Sequence, residues 1–276
     1  MTVSEIYQQL DQLAPKALSD EYCRTFGAYD NSGVLVDCGG EIQGVLFTLD
    51  LTKTAIERAK NVGANLIVTH HPVIYGKIGD VKVGSALGGR LIACIRAGIS
   101  VISMHLNLDC AVGGIDDCLA DGVYLAAANA NESNTQGAGT PRTNEKRYHV
   151  LSAGGYGSVY AVPSVRAESL RENMEKHFRA PVRLIGDAAK TVGKVASFCG
   201  AGVDDGSVAF AIGCGVDAIV SSDWKHHLVL ACHEAGVAVF QLSHYASEEY
   251  GFERYYEKMC KSIPIPCELH REDGLL

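Results

Sequence analysis

No two of the ten cysteines form a CxxC pair, which removes the common zinc-finger and thioredoxin-type arrangements. The opening stretch, MTVSEIYQQLDQLAP, has neither the basic segment nor the apolar core of a secretory leader. No run approaches the roughly 18 apolar residues that a membrane helix needs. Together these absences predict a cytoplasmic chain with reduced thiols and no membrane partner. Basic runs are missing as well. Lys and Arg total 24 against 32 Asp and Glu, a net charge of −8, and phosphate neutralisation needs a basic patch, so direct nucleic-acid binding is not expected.

What is present is an alternation of short apolar strands and helices over 276 residues, which predicts an α/β fold with mainly parallel sheets. Ser4 caps a first helix with Ile6, Leu10 and Leu13 on one face. Strands are expected at 44–49, 66–69 and 99–104, with helices over 52–62, 85–97 and 115–127. Residues 128–146, ANANESNTQGAGTPRTNEK, are small and polar without an apolar period and read as a linker or loop. Beyond it come strands near Val150 and Val159 and a helix over 165–178 opened by Pro163 and Ser164. Strands at 182–185 and 195–198 precede the segment CGAGVDDG and the run AIVSSD. A helix over 226–235, the strand VAVFQL and a last helix from about His244 close the chain.

The division expected is 1–127 as an N-terminal α/β domain, with 215–276 packing beside it, and 147–276 as a second α/β half. Two segments recur in the same order in each half: VGANLIVTHH resembles CGVDAIVSSD, and ACIRAGISVISMH resembles ACHEAGVAVFQLSH. Ordered pairs of this kind point to duplicated halves. Open α/β sheets place ligands at strand C-terminal ends.

Residues able to bind metal cluster at those ends: His70-His71, His105-x-x-x-Asp109, Lys225-His226-His227 and His244-x-x-x-Glu248. His244 and Glu248 share a helix face at i and i+4. Adjacent strand residues face opposite ways, so His70 and His71 serve one site only where the chain turns, and Pro72 favours a turn. A lone histidine at a strand end is ordinarily structural, and that reading is taken for His149, His177, His233 and His270. His226 and His227 either cap a helix in solvent or contact a substrate. For His70, His71, Asp109, His244 and Glu248 together, metal ligation is the better account. Imidazoles with carboxylates suit Zn, Fe, Mn, Co or Ni, and Asp109 and Glu248 are able to bridge two ions.

The stretches AYDNSGVLV, VTHHPVIY, SMHLNLD, SSDWKHH and SHYASEEYGFE, in this order along nearly the whole chain, resemble the NIF-three-like family, whose members are often labelled GTP cyclohydrolase I type II homologues. The resemblance implies two similar α/β domains, two divalent metal ions per chain in the cleft between them, and a homo-oligomer, specifically a hexamer. Carried over by motif, it makes His70, His71, Asp109, His244 and Glu248 the metal ligands and His105 a nearby site residue or further ligand. Ser222, Ser243 and Leu106 depart from the family's usual Gly, Gly and Thr without removing a ligand. The stretch 128–146 is too short for the large insert of longer members.

Two functions compete. One is a metal-dependent hydrolase acting on a small molecule such as a nucleotide or related heterocycle, as the cyclohydrolase label implies. His105 or His227 would be the catalytic proton carrier, and Cys199–Gly206 would approach phosphate, although Asp204 and Asp205 would repel it unless a metal intervenes. The other is non-enzymatic: a metal carrier or inserter, or a regulatory interaction protein. A carrier releases its ions readily, whereas a hydrolase holds them and keeps a coordination position open.

Overall fold

The computed structural model describes residues 1–130 and 142–276. From the N-terminus come helices α1 (Val3–Leu13) and α2 (Lys16–Phe26), then strands β1 (Gly33–Val36) and β2 (Val45–Thr48). Next are α3 (Lys53–Val62), β3 (Leu66–Thr69), α4 (Ala86–Ala97), β4 (Ser100–Ser103) and the short α5 (Leu106–Cys110). Helix α6 (Ile115–Asn129) leads to β5 (Asn144–Leu151), β6 (Gly154–Arg166) and α7 (Ala167–Phe178). Then follow β7 (Arg183–Ile185), β8 (Thr191–Ser197), α8 (Asp205–Gly213), β9 (Ala218–Ser221), α9 (His226–Glu234) and β10 (Ala238–Gln241). The long α10 (His244–Ser262) and β11 (Cys267–Leu269) end the regular structure. Contacts divide the chain into two units, residues 1–111 with 252–272, and residues 112–251 with 273–276.

In the first unit the sheet order is β1-β4-β3-β2-β11, parallel except for β1. Every residue of β2, β3 and β4 is buried, as expected of parallel strands covered on both faces. Thr52 and Ser85 cap the connecting helices, each side-chain oxygen accepting a backbone N–H three residues on. At the N-terminus Thr2, not Ser4, is the cap. It forms a reciprocal pair with Glu5, and the buried face is Val3, Ile6 and Leu10, with Leu13 turned outward.

In the second unit the order is β5-β6-β8-β9-β10-β7. β8, β9 and β10 are parallel, while β5, β6 and β7 each pair antiparallel with a neighbour, so this sheet is mixed. The strand β6 continues through Pro163 because Val165 and Arg166 still pair with Val192 and Thr191 beyond a register shift. The proline sits at that irregularity, where a missing N–H is tolerated, and α7 therefore starts at Ala167, later than its sequence predicts. Asp204 caps α8 through Ser207, so the second half of CGAGVDDG is a helix start.

The internal topologies match. β2-α3-β3-α4-β4 and β8-α8-β9-α9-β10 are both three parallel strands, and in both the third strand carries an antiparallel edge strand, β1 or β7. The halves are not split as the sequence suggests, however. Helix α6 belongs with β6 and α7, and only residues 252–272 of the 215–276 segment join the first unit. The reason is close packing: a Cβ on Gly122 of α6 would sit 2.5 Å from the Phe178 ring of α7. Of the expected linker, residues 131–141 lie outside the described residues, Ala128 and Asn129 end α6, and Asn144 opens β5. Among the described residues no helix is long and apolar enough to cross a membrane, and no disulfide joins the cysteines.

Candidate metal centre

The first unit gathers three histidines at the C-terminal ends of β3 and β4. The chain bends at His70 and His71, and their backbone N–H groups donate to Leu49 O at 3.2 and 2.9 Å. That bend overcomes the strand alternation that would otherwise point the pair apart. Their ring centroids are 4.8 Å apart, and that of His105 is 5.1 Å from His70. One nitrogen from each of the three lies within 4.8 Å of the others. One helical turn beyond His105, the Asp109 amide donates to the His105 carbonyl, and the Asp109 carboxylate stands 3.5 Å from His70 Nε2.

Each ring has a fixed orientation. His70 Nδ1 donates to Met104 O at 2.7 Å, His71 Nδ1 to Asp50 Oδ1 at 3.0 Å, and His105 Nδ1 to Asp30 Oδ1 at 2.7 Å. Carbonyls and carboxylates only accept, so Nδ1 bears the proton and a neutral ring offers its Nε2 lone pair. Asp30 is itself held by the Ser19 and Ser32 hydroxyls at 2.5 and 2.6 Å. Burial alone would raise the Asp30 carboxyl, but the His105 hydrogen bond and charge, with the two serines, hold it well below the usual carboxylate range.

The second unit repeats the motif. His244, at the start of α10, donates from Nδ1 to Asp223 Oδ2 at 2.7 Å and turns Nε2 toward Glu248 Oε1 at 3.1 Å. Around Glu248 the loop at Cys199–Gly202 is bound by serines. Gly200 N donates to Ser247 Oγ at 3.0 Å, and Ser222 Oγ donates to Gly200 O at 2.5 Å. Ser222 thus adds a bond to this loop.

These donor sets fit a divalent cation. In both units a buried or half-buried imidazole has Nδ1 committed to an acceptor while Nε2 faces a carboxylate oxygen. Two lone pairs aimed at each other in a site as buried as that of His70 and Asp109, at 0% and 5% exposure, require a positive charge between them, either a proton or a metal ion. Ligating histidines characteristically donate their other N–H to a carboxylate or carbonyl, the arrangement found at all four rings.

The remaining candidates lie elsewhere. His227 is exposed at the start of α9, 3.4 Å from Asp205, and His226 beside it is also exposed. His177 packs against Phe178 and Tyr250, and His270 meets Glu272 at 3.1 Å. Sequence reasoning missed Asp30, Asp50 and Asp223 as the orienting carboxylates. Asp50 and Asp223 do carry a signal: each lies two residues past the end of a parallel strand, as the histidines nearly do.

A family model described as Duf34/NIF3 (NGG1p interacting factor 3) matches residues 1–270. A Campylobacter jejuni protein named GTP cyclohydrolase 1 type 2 homolog is 28% identical over 267 residues, covering 96% of this chain and 94% of that protein. A Clostridium perfringens protein of the same name is 26% identical over 255 residues, covering 90% and 87%. The crystal structure of a Bacillus cereus protein related to NIF3 superimposes with a TM-score of 0.75 at 17% identity, covering 97% and 96%.

Proposed function

The chain belongs to the Duf34/NIF3 family, and from that premise we propose that it binds two divalent metal ions and acts as a metal-dependent hydrolase on a nucleotide or related heterocycle. His70, His71, Asp109, His244 and Glu248 are the proposed ligands. The observation that carries the reading is the set of imidazoles whose Nδ1 is held by an acceptor while Nε2 is turned to a carboxylate. Divalent ions held by such donors polarise a carbonyl or phosphoryl oxygen and activate water near neutral pH.

The chain's own groups supply orientation and proton transfer. His105, its Nδ1 tied to Asp30, presents Nε2 as the proton acceptor and donor. A second proton-transfer role is proposed for His227 from its place in the SSDWKHH motif alone; it stands exposed on α9, 3.4 Å from Asp205. The relatives' name, GTP cyclohydrolase 1 type 2 homolog, favours a nucleotide substrate. The hexamer implied by the resemblance belongs to the same proposal and is checked by light scattering.

The test is elemental analysis after reconstitution with each of Zn, Fe, Mn, Co and Ni, followed by turnover of GTP and a nucleotide panel. About two ions per chain are expected. His70→Ala and Glu248→Ala each lower the content, while His105→Ala and His227→Ala lower turnover more than metal content. Less than about one ion per chain sinks the metal reading. Full occupancy without turnover, with rapid transfer of metal to an apo-protein, replaces the hydrolase by a carrier.

A further inference from the structure

Within the first unit, two tyrosines stand beside the histidine cluster in a way its ligand geometry does not require. Tyr29 is 54% and Tyr75 51% exposed. Their ring centroids are 5.4 Å apart at 86°, and the Tyr75 ring is 6.0 Å from the His105 ring at 87°. Both are pinned. Tyr75 Oη donates to Tyr29 O at 3.0 Å, and Asn31 Nδ2 donates to Ile74 O at 2.6 Å. Between Tyr29 and Asn31 lies Asp30, which orients His105. Three consecutive residues thus hold the Tyr75 hydroxyl, the His105 imidazole and the backbone just before Tyr75.

A plain surface clasp would cover the rings it uses, since leaving half of a large aromatic side chain in water forgoes apolar burial. Here the Tyr75 ring is held by its polar end, the Tyr29 ring packs against it at right angles, and both keep open surface next to a group proposed to transfer protons. Because the rings are perpendicular, a flat molecule stacked on one meets the other edge-on, and both contacts are favoured aromatic geometries.

We infer that Tyr29 and Tyr75 form an aromatic platform that stacks the planar ring of a heterocyclic substrate, such as a purine base, beside His105. The inference deepens the hydrolase reading and rests on it for the location of the chemistry. Stacking itself needs no metal, so it is tested separately. The Lys77 side chain, exposed two residues beyond Tyr75, is available on the same segment to a phosphate of such a ligand.

The experiment is calorimetric titration of guanosine, GTP and ribose 5-phosphate into the full chain, with and without reconstituted metal, for the wild type, Tyr75→Ala, Tyr75→Phe, Tyr29→Ala and Tyr75→Leu. Loss of a stacking ring is expected to weaken guanosine and GTP on the order of 10-fold. Ribose 5-phosphate affinity and metal content stay unchanged, and Tyr75→Phe keeps most of the affinity. The platform is overturned if the wild type binds no heterocycle in either state. It is equally overturned if the ring-removing variants bind guanosine as the wild type does, or lose ribose 5-phosphate to the same degree. A low metal content with intact guanosine binding instead refutes the metal reading and leaves the platform supported.

Discussion

Gly200 is the position where a single methyl group separates ligand geometry from fold stability. It adopts φ +52°, and a Cβ there would run into Glu248 Oε1 and lie 3.2 Å from His244 Nε2. Gly200→Ala therefore has two consequences of different kind. The left-handed backbone strains an L-residue by on the order of 1–2 kcal/mol. For a unit of this size, that lowers the melting temperature by roughly 3–6 °C. The carboxylate is the mobile end of a side chain and swings aside at little further loss of stability. Displacing this proposed ligand, however, should weaken metal binding by about 10–100-fold. Gly236→Ala is the matched control, because Gly236 has φ +69° and nothing within 4 Å of its added Cβ. The assays are thermal melting by circular dichroism and competition for metal against a chromophoric chelator. Both variants should melt lower by similar amounts, and only Gly200→Ala should lose metal affinity. Equal affinity in the two variants would refute Glu248 as a ligand.

Two further outcomes test the second unit's packing. Asp117 meets Arg147 at 2.5 Å and Arg142 at 3.2 Å. Burial alone would raise its carboxyl, but Arg147, the Gly113 N–H and Arg142 hold it below the usual value. A depressed folded value contributes stability that is full above the unfolded pKa near 3.9 and disappears as pH falls through the folded one. Asp117→Asn should cost on the order of 3 kcal/mol at pH 7, and the gap to wild type should begin to narrow below about pH 4 and close once the pH is below the depressed folded value. A gap that does not narrow as the pH is lowered from about 4, measured by urea unfolding, would show that the ion pairs are not its source. Gly122→Ala should destabilise by on the order of 1–3 kcal/mol, since the new methyl meets the Phe178 ring, despite alanine's better helix propensity. In a Phe178→Leu background the same change should become neutral or favourable, and a persistent loss there would place the strain elsewhere.

Five of the parallel strands were legible within a residue or two because each is a short apolar run between capping residues and glycines, whereas β8 (Thr191–Ser197) starts four residues before its expected 195–198. β3 is Leu66–Thr69 as read, and β2, β4, β9 and β10 lie inside their expected runs. Helix α2, strand β1, the turn of α5, helix α8 and strand β11 were not read from the sequence. β11 is three residues long and half-buried, and α5 spans five residues, too little chain for any periodicity to register.

By itself the sequence determined that histidines and carboxylates would stand at the ends of buried strands. It did so because residue type and apolar period are local properties. Which carboxylate orients which ring was decided only by the tertiary structure. Asp30 reaches His105 across 75 positions, and Asp50 and Asp223 each reach a histidine 21 positions away. Such partners depend on which strand lies beside which. The antiparallel β1 against β4 brings Ser32 and Asp30 to His105, and parallel β2 against β3 brings Asp50 to His71. Strand neighbours are chosen by burial summed over the whole sheet, and no short window of sequence contains that sum.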